Sequence, residues 1–105
     1  VLGHITTFGG HPVSCSAALS SINVILDEKL IDSVSKKEEI FREILEKHPL
    51  VKEVRSKGLL MAVELGSFDK MLDLVKFGVK NGFITDWFLF CDTSFRISPP
   101  AWWWC

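Results

Sequence analysis

The stretch Gly3-His4-Ile5-Thr6-Thr7-Phe8-Gly9-Gly10-His11-Pro12 decides the reading of this chain. Two adjacent hydroxyl residues precede an aromatic ring and a pair of glycines. A proline then opens a run of helix-forming residues, where its missing N–H costs nothing in a first turn. Hydroxyls and backbone N–H groups in a glycine-bearing loop are good phosphate ligands, because glycine lets the main chain approach an anion closely. Taken by itself, Thr6–Gly10 is equally an ordinary turn leading into a helix, since short glycine-rich matches occur by chance.

Downstream of Pro12, the residues Ala17, Ala18, Leu19, Ile22, Val24, Ile25 and Leu26 are apolar on most sides of a helix, which predicts a well-buried one. Leu30, Val34, Phe41, Ile44 and Leu45 recur at helical spacing, and Pro49 ends that second helix. Lys36 to Glu39 reads as its solvated face. The period then changes. Val51–Ser56 and Leu59–Leu65 read as strands, with Gly58 marking a bulge or bend between them. Phe68, Met71, Leu72, Val75 and Val79 return to helical spacing, and Gly82 is placed to stop that helix. Phe83–Thr85, Trp87–Cys91 and Phe95–Ser98 are short strand candidates before Pro99-Pro100. The order predicts an α+β fold, a small antiparallel or mixed sheet with helices on one face.

Composition narrows the function. The 105 residues suit one small domain, and 48% hydrophobic residues allow a packed core. With 12 basic and 13 acidic residues and no basic stripe, nucleic acid is not the expected partner. The three cysteines, Cys15, Cys91 and Cys105, form no CxxC pair, which favours a reducing, cytoplasmic setting. Cys15 and Cys91 read as small core residues. No apolar run approaches the roughly 18 residues of a membrane span, and the first residues are not a signal peptide. No cluster around His4 or His11 has metal-ligand spacing. His48 reads as a helix-end residue and Trp87, Phe88 and Phe90 as packing residues. The start inside a loop motif, without an initiator methionine, reads as a truncated or processed chain.

Three segments resemble the class III aminotransferases. In that family a His-x-[Ser/Thr]-Thr-[Phe/Tyr]-Gly-Gly-Asn-Pro run precedes a long alanine-rich helix, and His4, Thr6, Thr7, Phe8, Gly9, Gly10 and Pro12 match it, with His11 in place of the asparagine. Val54-Arg55-Ser56-Lys57-Gly58-Leu59-Leu60 resembles the family's Val-Arg-Gly-x-Gly-Leu-Met segment, with Ser56 replacing a glycine. Phe95-Arg96-Ile97-Ser98-Pro99-Pro100 resembles its Arg-x-x-Pro-Pro segment. The wording Thr85-Asp86-Trp87-Phe88-Leu89-Phe90-Cys91 is similar to a bacterial branch labelled ornithine or acetylornithine aminotransferase.

The resemblance implies a pyridoxal 5′-phosphate (PLP) enzyme of fold type I that moves an amino group from an amino acid to a 2-oxo acid, working as a homodimer. It implies three regions here: residues 1–12 as the cofactor-phosphate loop at the end of the large domain, 13–100 as the C-terminal small domain, and 101–105 as an atypical tail. Thr7 would bind the phosphate of the partner subunit's cofactor, with Thr6 the weaker candidate in the same loop. Arg96 would bind a substrate carboxylate, a task that suits a guanidinium fork; without the resemblance it is an ordinary strand arginine. The family's Schiff-base lysine and its pyridinium-pairing aspartate belong to the large domain, so the chain alone is expected to be inactive. Ala101 and the tryptophans replace the family's terminal helix. The alternative is a non-catalytic α+β module that binds a partner through the apolar first helix.

Overall fold

A computed structural model describes residues 6–102. His4 and the Trp103–Cys105 part of the tail lie outside the described residues. The chain divides into two compact units, Val1–Asp32 and Ser33–Cys105.

The first unit is a turn followed by helix α1, Pro12–Asp27, with the proline at the start as its locked φ allows. The helix ends through the Glu28 N–H, which donates to the Val24 carbonyl at 3.0 Å, and the chain leaves through Lys29 at φ 50°. The expected burial is not met: α1 has no buried residue among those described, and Leu19, Ile22 and Leu26 are 61%, 53% and 61% exposed. A helix apolar on most sides needs neighbours on most sides, and α1 has too few among the described residues. Cys15, placed in the core by its residue type, is exposed for the same reason.

A short 3-10 turn (Leu30–Ser33) replaces the expected first turn of the next helix, and in the second unit α2 runs Val34–Glu46. Strands β1 (Glu53–Lys57) and β2 (Leu60–Glu64) follow, then α3 (Phe68–Lys80), β3 (Trp87–Phe88) and β4 (Cys91–Ile97). The sheet has the order β1-β2-β4-β3, and every pairing is antiparallel. The fold is α+β. Among the described residues no helix is long and apolar enough to cross a membrane.

Alternation along the strands sorts the two faces. Val54, Val63 and Phe95 share a row and meet Leu65 and Met71, with Leu45, Leu72 and Leu74 packed around them. Thus α2 and α3 cover one face. Glu53, Arg55, Ala62, Glu64, Ser94 and Arg96 take the alternate positions, on the face turned away from those helices.

The β1–β2 connection is a full hairpin turn rather than a bulge, because Lys57 pairs directly with Leu60. Gly58 takes φ +61°, the first-position signature of a type II′ turn, which matches the twist of the strands. Glu38 fastens this turn from α2: one carboxylate oxygen accepts from the Gly58 N–H at 3.0 Å and the other from the Ser56 hydroxyl at 2.5 Å. Lys37 is buried and donates to the Ala101 carbonyl at 2.5 Å. The Lys36–Glu39 run is therefore not a solvated face; its two middle residues tie down the hairpin and the start of the tail.

α3 ends as Gly82 led one to expect. The Gly82 N–H donates to the Val79 carbonyl and the Phe83 N–H to the Gly78 carbonyl at 3.0 Å, the paired bonds of a Schellman cap. The Phe83 ring lies over Gly78, where a Cβ would meet it at 2.6 Å. Phe83–Thr85 consequently forms no strand: Phe83 serves a helix cap and Ile84 is exposed. The Trp87–Cys91 run also divides, with Leu89 and Phe90 at the tip of the β3–β4 hairpin and Phe90 98% exposed. Trp87 packs edge-on to Phe68 at 6.0 Å between ring centroids, whereas Phe90 packs on nothing among the described residues.

Candidate functional site

The Thr6–His11 segment is a wound turn. The Gly9 N–H donates to the Thr6 carbonyl at 3.4 Å and the His11 N–H to the Phe8 carbonyl at 3.2 Å. A Cβ on Gly9 would stand 2.7 Å from the Thr6 methyl, and Gly10 takes φ +75°. The glycine pair is what lets the turn close over Thr6 while leaving both threonines exposed at the entry to α1. Two hydroxyls and a close-packed main chain form a donor set of the chemistry a phosphate needs. These residues fit the phosphate end of PLP.

Arg96 belongs to the other compact unit, so neither unit by itself holds all three residues read from the sequence. It lies on β4 between β2 and β3, opposite Ala62. Its guanidinium NH2 is 2.7 Å from Asp86 Oδ2, with both side chains about half exposed. Its main chain is held by the same segment: the Arg96 N–H donates to the Asp86 carbonyl at 2.9 Å, and the Thr85 hydroxyl donates to the Arg96 carbonyl at 2.5 Å. On its own side of the sheet Arg96 lines a polar cleft of about 340 Å³ with Thr85, Asp86 and Ser98, while a mostly apolar groove of about 490 Å³ lies toward the helices, bordered by Phe41, Leu74, Phe83 and Pro99.

One row along the same face is a polar network that sequence reasoning missed. Glu64 on β2 pairs with Ser94 on β4. The fully buried Ser94 hydroxyl donates to Glu64 Oε2 at 2.6 Å, and the Gly66 N–H donates to Glu64 Oε1 at 2.5 Å. Arg55 reaches in from β1, donating to the Ser94 hydroxyl at 3.0 Å and to Glu53 at 2.6 Å. The half-buried Cys91 thiol lies 3.5 Å from Glu64 Oε2 and 3.3 Å from the Ser94 hydroxyl, so Cys91 belongs to this polar cluster and not to the apolar core. Burial disfavours the Glu64 charge, but hydrogen bonds from Ser94, Thr93, the Gly66 N–H and Cys91 outweigh it and hold the carboxyl down to about 2.

The family model described as aminotransferase class-III matches residues 1–102. Among solved structures, the chain is similar to an aminotransferase from Bacillus anthracis, at 29% identity and TM-score 0.79, over 96% of this chain and 26% of that one. It is similar to the acetylornithine aminotransferase of Elizabethkingia anophelis, at 32% identity and TM-score 0.75, over 97% of this chain and 28% of that one. The ornithine aminotransferase of Toxoplasma gondii shares 34% identity at TM-score 0.77, over 94% of this chain and 24% of that one. The chain thus spans about a quarter of the length of the structures it matches. Its antiparallel α+β unit, its threonine-glycine loop and its Arg-x-x-Pro-Pro strand fall together within one match, and the chain belongs to the class III aminotransferases.

Proposed function

We propose that this chain is the C-terminal small domain, residues 13–100, together with the preceding phosphate loop, 1–12, of a PLP-dependent enzyme. The enzyme transfers an amino group from an ornithine- or acetylornithine-like donor to a 2-oxo acid. The observation that carries this reading is the turn at Thr6–Gly10, where the glycine pair leaves two hydroxyls exposed at a helix entry. In the assembled enzyme, a homodimer, Thr7 donates its hydroxyl to the phosphate of the cofactor held by the partner subunit, and Thr6 is the weaker donor of the same turn. PLP, when bound, supplies the electron sink that makes amino transfer possible.

Arg96 orients a substrate carboxylate at the polar cleft it shares with Thr85, Asp86 and Ser98. The chain carries no lysine for the Schiff base and is inactive alone. In support, Lys37 is buried with its ammonium on the Ala101 carbonyl, and Lys47 pairs with Glu43 at 2.7 Å. Cys15 and Cys91 are unpaired thiols, in keeping with a cytoplasmic enzyme.

Thr7→Ala in the full-length enzyme tests the reading. Losing one hydrogen bond to a charged phosphate should cost about 1.5–3 kcal/mol, or roughly 10- to 150-fold in cofactor affinity. Thr7→Ser should retain the cofactor. The readout is the cofactor's absorbance after free PLP is removed by gel filtration. Equal retention by Thr7→Ala and the parent would refute the phosphate role.

A further inference from the structure

We propose that Asp86 is a positioning residue for substrate binding: it aims the Arg96 guanidinium at the substrate carboxylate. The inference rests on the reading of Arg96 as the carboxylate ligand. Arginine has a long, rotamer-rich side chain, and a bidentate grip on a carboxylate needs its fork held in one orientation. The cross-strand neighbour of Arg96 on β2 is Ala62, whose methyl group offers no acceptor. The neighbouring carboxylate on that face, Glu64, is engaged by Ser94 and the Gly66 N–H. Asp86 supplies what Ala62 does not, at 2.7 Å from NH2.

Three features make Asp86 an aiming group rather than a chance surface partner. Its side chain is short, so few torsions separate its carboxylate from the main chain. Its main chain is itself bound to Arg96, through the Asp86 carbonyl and the Arg96 N–H at 2.9 Å, while Thr85 secures the Arg96 carbonyl at 2.5 Å. The carboxylate and the arginine backbone are therefore fixed in one frame. The contact also uses only one of the five N–H groups of the guanidinium, leaving others for an incoming carboxylate. Thr85, Asp86, Arg96 and Ser98 line a polar cleft of about 340 Å³ at this point, large enough for a carboxylate group.

The experiment is steady-state kinetics on the full-length enzyme with Asp86→Asn, Asp86→Glu and Arg96→Ala, each checked by thermal melting. Asp86→Asn should raise the KM of the carboxylate substrate held by Arg96 roughly two- to fivefold, with kcat within a factor of about two, as expected for loss of one exposed charged contact. Asp86→Glu should restore most of the binding, Arg96→Ala should raise KM further, and the melting temperatures should stay level. If Arg96→Ala raises KM and Asp86→Asn does not, Asp86 has no aiming role. A lowered KM in Asp86→Asn would make Asp86 a competitor for the fork, and a lowered melting temperature with a matching fall in kcat would make it a structural residue; both overturn the proposal. An unchanged KM in Arg96→Ala would remove the carboxylate role of Arg96 and the proposal with it.

Discussion

Glu64→Gln removes a charge from the polar network without changing its shape. The Glu64 carboxyl is held at about 2 against an ordinary value of 4.5. That displacement corresponds to a ceiling of roughly 3 kcal/mol at neutral pH, and solvent access to the sheet face brings the expected effect to about 1–3 kcal/mol. The sign follows from the depressed value: the stabilisation is fully present above pH 4.5 and is lost as pH falls toward 2. Because Glu64 joins β2 to β4 through Ser94, the loss should appear as local opening of those strands. Hydrogen exchange on peptides covering residues 60–66 and 91–97 of the full-length enzyme reads it directly. At pH 7 the variant should exchange about 5- to 150-fold faster than the parent in the regime where exchange reports opening free energy. After correction for intrinsic rates, the gap should narrow below pH 4.5 and close near pH 2. Equal protection at pH 7, or a gap that persists unchanged to pH 2, would refute the claim that the ionised carboxylate holds the two strands together.

Two further outcomes concern the β1–β2 hairpin. Glu38→Ala leaves the half-buried Gly58 N–H and the Ser56 hydroxyl without their carboxylate, which should weaken the turn by about 1.5–3 kcal/mol and speed limited tryptic cleavage after Lys57. An unchanged cleavage rate would show that Glu38 does not fasten the turn. Gly58→Ala forces a side chain into φ +61° and brings its Cβ to 2.8 Å from a Val34 methyl, so it should destabilise the hairpin by more than about 1 kcal/mol. The same digestion detects it, and a variant as resistant as the parent would contradict the turn geometry.

The parts legible in the sequence are those set by local period. The stripe Phe68, Met71, Leu72 and Val75 specifies α3, and the Val- and Leu-rich run Leu59–Leu65 specifies β2. The misread residues are those whose surroundings come from elsewhere in the chain. Lys37 continues the spacing of Val34, Phe41 and Leu45, so it occupies the packed stripe of α2; its charge disguises its position, and its acceptor lies far away in sequence at Ala101. Phe83 to Thr85 looks like a strand because three consecutive residues favour one, but the cap of α3 engages Phe83 through Gly78 instead. The apolarity of α1 predicts burial, but apolarity shows a need for neighbours without supplying them.

The candidate site divides along the same line. Thr6, Thr7 and Arg96 were visible because each lies in a short motif. Asp86, Glu64 and Ser94 were not, because their roles depend on strand order. Among the described residues β4 is the last strand in sequence but lies inside the sheet, between β2 and β3. One neighbour brings Ala62 opposite Arg96 and Glu64 opposite Ser94; on the other side, the residues leading into β3 bring Thr85 and Asp86. An arginine on an edge strand would be held from one side and free to swing. On an interior strand its backbone is fixed from both sides, the small residue opposite leaves room for its side chain, and one aspartate suffices to set its direction. The β1-β2-β4-β3 order thus explains why an exposed arginine can be a directed one, although ten residues separate it from the carboxylate that directs it.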